Sequence, residues 1–269
     1  GFCFGVKRAV EKVYANVDKE HVYTYGPIIH NEQVVADLEK HGVKVVEEDT
    51  DLTQLSEGTI VVRAHGASRA EFDRLRECGM QIEDATCPFV SKIYRIVEEE
   101  SKAGRTVIIV GNAAHPEVRG IRGWSGEDTY VVGSIEEANN LNILAKNISI
   151  VSQTTFNLKK FKEIVEIFEK KGYDIKCLNT ICNATEVRQT EARQIASQVD
   201  AMIVIGGKNS SNTQKLFEIC KEECSNTYYI QTAEDLDYTA IRGMQRIGIT
   251  AGASTPKNII EEVQTRCQI

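Results

Sequence analysis

The stretch that decides the fold, residues 107–117, reads VIIVGNAAHPE. Its first four residues are all β-branched, and such a run is typical of a parallel strand that is buried on both faces. Gly111 then opens a polar loop, and Pro116 stands where proline favours the first turn of a helix. The stretch therefore predicts a strand, a loop and a helix in the order that builds an α/β unit.

The same order of elements recurs along the chain. Similar apolar runs predict strands at 22–25, 59–62, 148–151, 202–205 and 247–250, and shorter ones at 81–83 and 174–176. Amphipathic stretches predict helices at 6–17, 90–103, 159–171, 186–199, 212–223 and 256–265. Strands that alternate with helices in this way predict an α/β fold with parallel sheets.

Three cysteines mark a threefold repeat. Cys3, Cys87 and Cys182 each precede a predicted helix, which is followed by a strand that ends in glycine. The glycine follows the cysteine by 23, 24 and 24 residues, respectively. In each repeat a second strand ends in a further polar cluster, at 63–66, 152–155 and 251–254. The spacing predicts three α/β units with boundaries at 1–86, 87–181 and 182–269.

The first repeat differs from the others at its start. Predicted strands precede Cys87 and Cys182, whereas the sequence shows none before Cys3 and none after the helix predicted at 256–265. We therefore expect the natural chain to begin before Gly1, with a strand from that segment completing the third sheet.

The composition argues against several classes of protein. The 269 residues include 32 Lys and Arg against 39 Asp and Glu, and the net charge of −7 argues against a nucleic-acid or anionic-membrane surface. No apolar run approaches the roughly 20 residues of a membrane span. Eight cysteines without a secretion signal predict a cytoplasmic protein. The sequence has no Cys-x-x-Cys, which excludes zinc ribbons and thioredoxin motifs, and Cys220 and Cys224 are expected to be packing residues of a helix.

The repeat also predicts where a site lies. Ligands of open parallel sheets bind outside the carboxyl ends of the strands, so the polar clusters are expected to converge on one centre. The three cysteines precede helices, where a thiolate is stabilised and suited to metal binding. Three thiolates are compatible with zinc, which usually needs a fourth ligand, or with an iron–sulfur cluster. In such a cluster one iron lacks a protein ligand and can act as a Lewis acid as well as transfer electrons.

Polar side chains in these loops indicate an anionic ligand. The candidate binding residues are His30, His65, His115, Ser210, Asn212 and Ser254. Neutral donors near helix N-termini suit a phosphate or diphosphate, and no Walker or Rossmann glycine motif offers an alternative. Glu117 is the one acid within a cluster, and it is either a proton donor or a cap of the helix that begins near Pro116.

Nine segments, in unbroken order from Gly1 to about residue 265, carry a resemblance to a known family. They are 1–6 (GFCFGV), 26–31 (GPIIHN), 63–66 (RAHG), 84–88 (DATCP), 111–117 (GNAAHPE), 152–155 (SQTT), 180–185 (TICNAT), 208–212 (KNSSN) and 251–254 (AGAS). The chain resembles the 4-hydroxy-3-methylbut-2-enyl diphosphate reductases, the last enzymes of the non-mevalonate isoprenoid pathway. The resemblance implies three pseudo-symmetric α/β domains in a cloverleaf around a [4Fe–4S] cluster. It also implies reductive removal of the substrate hydroxyl, which yields isopentenyl and dimethylallyl diphosphate.

The resemblance further implies roles for individual residues. Cys3, Cys87 and Cys182 are the implied cluster ligands. The implied diphosphate-binding residues are His30, His65, Ser210, Asn212 and Ser254, with His115 and Ser211 nearby. Thr154 is expected beside the substrate hydroxyl and Glu117 is expected to deliver protons, with His115 as a further catalytic residue. A ferredoxin or flavodoxin is the implied electron donor. The residues alone leave one alternative, a non-catalytic iron–sulfur or zinc sensor of a diphosphate metabolite, which would not need an acid such as Glu117.

Overall fold

A computed structural model describes residues 1–268, in which eleven strands form three sheets and every strand pair is parallel. The first sheet has the order β2-β1-β3-β4. Its segment contains β1 (Val22–Tyr25), β2 (Lys44–Val46), β3 (Thr59–Val62) and β4 (Gln81–Asp84), with α1 (Phe4–Tyr14), α2 (Glu32–Lys40) and α3 (Arg69–Glu77). Ile60 and Val62 of β3 pack in one core with Phe72 and Leu75 of α3, which fixes α3 against the sheet.

The second sheet has the order β6-β5-β7-β8. Its segment contains β5 (Thr106–Val110), β6 (Thr129–Val132), β7 (Asn147–Ser152) and β8 (Asp174–Cys177), with α4 (Pro88–Lys102), α5 (Pro116–Trp124), α6 (Ile135–Asn140) and α7 (Leu158–Lys170). Val107 and Ile109 of β5 pack with α4 and α5, while Ile108 and Val110 pack with α6 and α7. Because successive side chains of a strand point to opposite faces, a strand between two helical layers needs a continuous apolar run.

The third sheet has the order β10-β9-β11. Its segment contains β9 (Ala201–Ile205), β10 (Thr227–Ile230) and β11 (Ile247–Ala251), with α8 (Asn183–Ala196), α9 (Ser211–Glu223) and α10 (Lys257–Cys267). Met202 and Val204 of β9 pack with α8 and α9, whereas Ile203 and Ile205 pack with α10. The central strand is again buried on both faces.

The chain forms two compact units. The single-sheet unit comprises Gly1–Lys7, Ile29–Asp37 and the residues from Asn183 onward, and it contains the third sheet. The double-sheet unit comprises Arg8–Ile28 and Leu38–Cys182, and it contains the first and second sheets. Each of the predicted segments 1–86, 87–181 and 182–269 contains one sheet, while the predicted domain boundaries themselves stay a prediction.

The predicted α/β class and all eight predicted strands are confirmed. The sequence did not predict β2, β6 and β10, which lie at sheet edges and carry exposed or half-buried positions within short runs. Within the described residues the third sheet has three strands where each of the others has four. Its expected completion by a strand before Gly1 stays a prediction. Among residues 1–268, no helix is both long and apolar enough to cross a bilayer.

Candidate active site

In the double-sheet unit, both oxygens of the Glu117 carboxyl group are bonded to one residue, Thr154. Glu117 lies in the first turn of α5 and is 2% exposed. Its Oε1 accepts a hydrogen bond from the backbone N–H of Thr154 at 2.6 Å, and its Oε2 accepts one from the Thr154 hydroxyl at 2.9 Å. Burial away from water raises the pKa of Glu117 to about 7, although the bonds from Thr154 act in the opposite direction. A carboxyl with this pKa holds a proton near neutral pH and can release it.

His115 caps the helix that carries Glu117. Its Nδ1 accepts a hydrogen bond from the Glu117 backbone N–H at 3.1 Å, so the side chain of His115 serves as the N-cap of α5. The neutral ring then carries its proton on Nε2, which becomes a donor. Its ring makes an edge contact with the ring of His65, with centroids 5.4 Å apart. The cap of this helix is therefore His115 and not Glu117, whose two oxygens bond to Thr154.

In the double-sheet unit, backbone hydrogen bonds join two of the three predicted cysteine ligands to the loops that contain Thr154 and His65. The N–H of Cys182 donates to the Thr154 carbonyl at 3.0 Å, and the N–H of Cys87 donates to the Ala64 carbonyl, beside His65, at 2.9 Å. In the single-sheet unit the N–H of Cys3 donates to the Ala253 carbonyl, beside Ser254, at 3.1 Å. Each cysteine is thereby joined to the polar cluster that follows a strand.

The surroundings of these three cysteines fit a metal centre. Each immediately precedes a helix, since α1 begins at Phe4, α4 at Pro88 and α8 at Asn183, and each is half-buried. Unpaired N–H groups at a helix start stabilise a thiolate, which is the form that binds metal. None of the eight cysteines forms a disulfide within the described residues. A thiolate donor set of this kind suits zinc or an iron–sulfur cluster.

The other five cysteines have different surroundings. Cys220 and Cys224 are buried in the core between α8, α9 and β9, which confirms their predicted packing role. Burial raises the pKa of Cys220 to about 12, so it remains a thiol. The Sγ of Cys78 donates to the Leu75 carbonyl at 2.8 Å, and Cys177 and Cys267 have pKa values raised by burial.

The single-sheet unit gathers neutral hydrogen-bonding groups. Ser210 is the N-cap of α9, and its Oγ accepts from the Thr213 backbone N–H at 3.3 Å. The Ser254 hydroxyl lies 3.2 Å from the His30 carbonyl oxygen and 3.4 Å from the Ser210 Oγ. Predicted site residues that are more than 170 residues apart in sequence, such as His30 and Ser254, are thus neighbours in this unit.

Asn212 has no hydrogen-bond partner for its amide within the described residues, although it is 4% exposed. It lies in the first turn of α9, two residues after the N-cap Ser210, and half-buried Ser211 lies between them. A buried amide that bonds to nothing in the protein usually costs stability, so it indicates a group that bonds to a ligand.

Sequence reasoning missed Tyr94. This residue of α4 is 5% exposed, and its hydroxyl donates to the His65 carbonyl at 3.2 Å. A Cβ at Gly66, where φ is +76°, would lie 2.1 Å from that hydroxyl oxygen, and one at Gly120 would lie 2.6 Å from it. Glycine is therefore needed at both positions to accommodate the Tyr94 side chain. The only signal in the sequence was an aromatic residue seven positions after Cys87, which is also common in packed helices.

Within the double-sheet unit, the structure brings together His65, His115, Glu117, Thr154, Cys87 and Cys182. Within the single-sheet unit it brings together Cys3, His30, Ser210, Asn212 and Ser254. The exposed histidines His21 and His41 lie outside both sets, as expected. That the two sets form one site stays a prediction.

The thiols at helix starts suit a metal centre, and the buried Glu117 suits proton transfer, so the site has the groups that a metal-dependent oxidoreductase needs. The chain belongs to the LytB protein family, whose family model matches residues 1–268. Enzymes of this family depend on metal.

Named relatives agree with this assignment. A 4-hydroxy-3-methylbut-2-enyl diphosphate reductase of Caldanaerobacter subterraneus subsp. tengcongensis is 48% identical over 267 residues, which cover 98% of this chain and 92% of that protein. The enzyme of the same name from Geobacter sulfurreducens is 47% identical, with 100% and 94% covered.

Solved structures agree as well. The E-1-hydroxy-2-methyl-but-2-enyl-4-diphosphate reductase of Plasmodium falciparum superposes with a TM-score of 0.93 at 30% identity, covering 99% of this chain and 85% of that one. A structure of (E)-4-hydroxy-3-methyl-but-2-enyl diphosphate reductase, described as the terminal enzyme of the non-mevalonate pathway, has a TM-score of 0.69 at 42% identity, with 100% and 96% covered. The predicted family, and with it the prediction of a reductase of isoprenoid biosynthesis, is confirmed.

Proposed function

We propose that the chain reduces 4-hydroxy-3-methylbut-2-enyl diphosphate, the substrate named for its relatives, to isopentenyl and dimethylallyl diphosphate. The reaction consumes two electrons and two protons, breaks the bond between carbon and the hydroxyl oxygen, and releases water. The observation that carries the proposal is the buried Glu117, whose pKa of about 7 and contact with Thr154 suit a proton donor. A sensor that only binds a diphosphate would not need this acid.

The cysteines Cys3, Cys87 and Cys182 would hold a [4Fe–4S] cluster. When bound, such a cluster supplies electrons and, at an iron without a protein ligand, a Lewis acid for the substrate oxygen. The chain places each of these residues immediately before a helix, where unpaired N–H groups point toward an anionic ligand. The support comes from their equivalent positions in the repeat and from the family.

The diphosphate would be bound mainly by neutral donors. The proposed binding residues are His30, His65, His115, Thr154, Ser210, Ser211, Asn212 and Ser254. Asn212 supports this role because its buried amide lacks a partner in the described residues, and Ser210 lies at the N-terminus of α9, where anions are favoured. Because the diphosphate is remote from the bond that breaks, its binding energy serves to position the reacting end.

Protons would reach the substrate through Glu117 and Thr154. The Thr154 N–H can only donate, so it keeps Oε1 as its acceptor and leaves the proton of a neutral Glu117 on Oε2. That O–H then donates to the Thr154 Oγ1, which frees the threonine hydroxyl proton for an oxygen of the substrate. His115, with its proton on Nε2, supplies a second donor in the same loops.

The electrons would come from a ferredoxin or flavodoxin, and the reaction would take place in the cytoplasm. Eight cysteines without a disulfide in the described residues support a reducing compartment.

The test is turnover by the anaerobically purified, iron-loaded protein. With dithionite-reduced methyl viologen as reductant, we expect consumption of the substrate and formation of both five-carbon diphosphates, identified by mass spectrometry. Binding of the substrate without turnover would instead favour the sensor.

A further inference from the structure

We infer that the first two turns of α4, with the depression beside them, form the docking surface for an electron-donor protein with an acidic face. This inference rests on the proposed function, because only a reductase needs such a donor. The surface is defined by Phe89, Lys92 and Arg95 on α4, and it begins two residues after Cys87.

An apolar side chain and two cations are exposed on this surface. Phe89 is 45% exposed, which is unusual for a phenylalanine on a helix that packs its other face in a core. Lys92 and Arg95 are exposed and have no carboxylate partner within residues 1–268. The three residues recur at intervals of three, so they lie along one stripe of the helix.

Most charged residues of α4 lie at the end of the helix that the helix dipole disfavours for their charge. The first turn contains no acidic residue, and Lys92 and Arg95 follow within two turns. Three consecutive acids, Glu98 to Glu100, lie near the carboxyl end, although Lys102 in the last turn follows the dipole preference. Helix termini favour the reverse order, with acids first and cations last. Helix stability therefore does not account for the two cations, which indicates a role in binding an acidic partner.

A depression of about 240 Å³ adjoins the stripe, and Arg95 lies in its lining. Its wall combines the aromatic rings of Phe72, Tyr94 and Trp124 with Arg76. Aromatic and arginine side chains are the residues that contribute most to protein interfaces. Phe72 and Tyr94 are themselves buried, so the depression offers a partner mainly its exposed cations Arg76 and Arg95.

The local charge is positive although the whole chain carries −7. Arg8 adds a third cation, since its guanidinium donates to the carbonyl of Thr86, next to Cys87, at 3.0 Å. Of the carboxylates that line the depression, Glu98 is neutralised by Arg69 and Lys102, each at 2.7 Å. Asp84 of the lining and the exposed Glu99 of α4 remain as two acids against the three cations Arg8, Lys92 and Arg95. The complementary partner therefore has an acidic surface, and electrostatic attraction would speed its encounter.

The position of this docking surface relative to Cys87 suits electron transfer. At a rise of about 1.5 Å per residue, Phe89 stands about 3 Å and Lys92 about 7.5 Å along the helix axis from Cys87. A partner on this surface would hold its redox centre close to a proposed cluster ligand. Each one-electron donor is oxidised once, so two donors are consumed for each hydroxyl released as water.

The test compares the protein donor with a small dye in the iron-loaded enzyme. With a reduced [2Fe–2S] ferredoxin of net negative charge, the double variant Lys92→Glu with Arg95→Glu should raise the KM for ferredoxin about tenfold or more at low salt. The same variant should retain its rate with reduced methyl viologen, which needs no docking surface. Calorimetric titration with oxidised ferredoxin should show the same loss of affinity independently of turnover.

The matched control reverses two other exposed lysines, Lys146 before β7 and Lys170 at the end of α7, and should leave the KM for ferredoxin unchanged. Equal losses in both double variants would overturn the inference, because they would reflect net charge alone. An unchanged ferredoxin affinity, or an equal loss of rate with the dye, would overturn it as well. A parent enzyme inactive with the dye would instead refute the proposed function, and the calorimetric comparison would still decide the docking surface.

Discussion

Glu117 in the double-sheet unit and Asn212 in the single-sheet unit are both buried polar residues in the first turn of a helix, yet their bonding differs. Both oxygens of Glu117 accept hydrogen bonds from Thr154, whereas neither polar atom of the Asn212 side chain has a partner within the described residues. This difference fits the proposed roles, because a proton donor such as Glu117 must hold a fixed orientation before the substrate arrives, and the protein supplies its hydrogen bonds. A residue that binds the ligand, as proposed for Asn212, must leave its polar atoms without protein partners. The missing hydrogen bonds lower the stability of the ligand-free protein.

The difference between Glu117 and Asn212 predicts that some variants lose turnover and others lose substrate binding. The largest expected effect is loss of the whole reaction. Replacing Cys3, Cys87 or Cys182 with serine should abolish iron binding, the visible absorbance and turnover, since each thiolate is a proposed ligand. Cys78→Ser is the matched control, because serine preserves the hydrogen bond to Leu75. Iron and sulfide analysis of anaerobic preparations measures the result. Full iron loading in any of the three variants would remove that residue from the ligand set.

The next largest effect concerns binding. Ser254→Ala removes the hydroxyl that lies within hydrogen-bond distance of Ser210 and of the His30 carbonyl. A hydrogen bond to a charged group contributes about 1.5–3 kcal/mol, so affinity for the substrate should fall about ten- to a hundredfold. Calorimetry measures this affinity, and the visible spectrum should not change. Ser197→Ala, at an exposed position just after α8, is the control and should bind the substrate normally. Equal affinity in the two variants would exclude Ser254 from the diphosphate site.

A smaller effect is expected from pH. The pKa of Glu117 is raised to about 7, so the protonated form predominates below that value and is lost as pH rises through it. The ratio kcat/KM, which reports groups of the free enzyme, should therefore fall about tenfold per pH unit above this pKa. The fall should disappear in Glu117→Gln. An alkaline decline that persists in that variant would assign the titration to another group.

The smallest effect is on stability. Asn212→Ala removes a buried amide without partners, so the substrate-free protein should gain stability of the order of 1 kcal/mol. Asn157→Ala is the matched control, because that buried asparagine caps α7 by accepting from the Lys160 N–H at 3.0 Å. Its loss should destabilise the protein by about 1 kcal/mol. Thermal unfolding distinguishes the two, and a loss of stability in both would mean that Asn212 has a structural role.

The sequence predicted central strands better than edge strands for a physical reason. β5 and β9 are buried on both faces, and their uninterrupted apolar runs are visible in the sequence. β2 has three residues, of which one is exposed, and the sequence pattern of so short a run cannot be distinguished from that of a loop. Pairing with a neighbouring strand, which the sequence does not show, is what makes it a strand.

The site was predictable where it follows from position along the chain. Cys87, His115 and Thr154 stand out because each lies just after a strand or before a helix, in equivalent places of a repeat. The contact between Glu117 and Thr154 joins residues 37 positions apart, and it depends on how β5 and β7 pair. The position of Tyr94 could not be predicted from the sequence either, because it depends on packing of its hydroxyl against two glycines.

The turnover of Glu117→Gln with reduced methyl viologen in excess tests the proposed proton donor most directly. Glutamine keeps the shape of the side chain and removes the acid, so kcat should fall about a hundredfold or more, with iron content unchanged and KM within a few-fold of the parent. Glu100→Gln is the control, a buried acid whose partners are Lys176 and Ser149, and it should keep its kcat. A Glu117→Gln enzyme that turns over within a few-fold of the parent would contradict the account and place the proton source elsewhere.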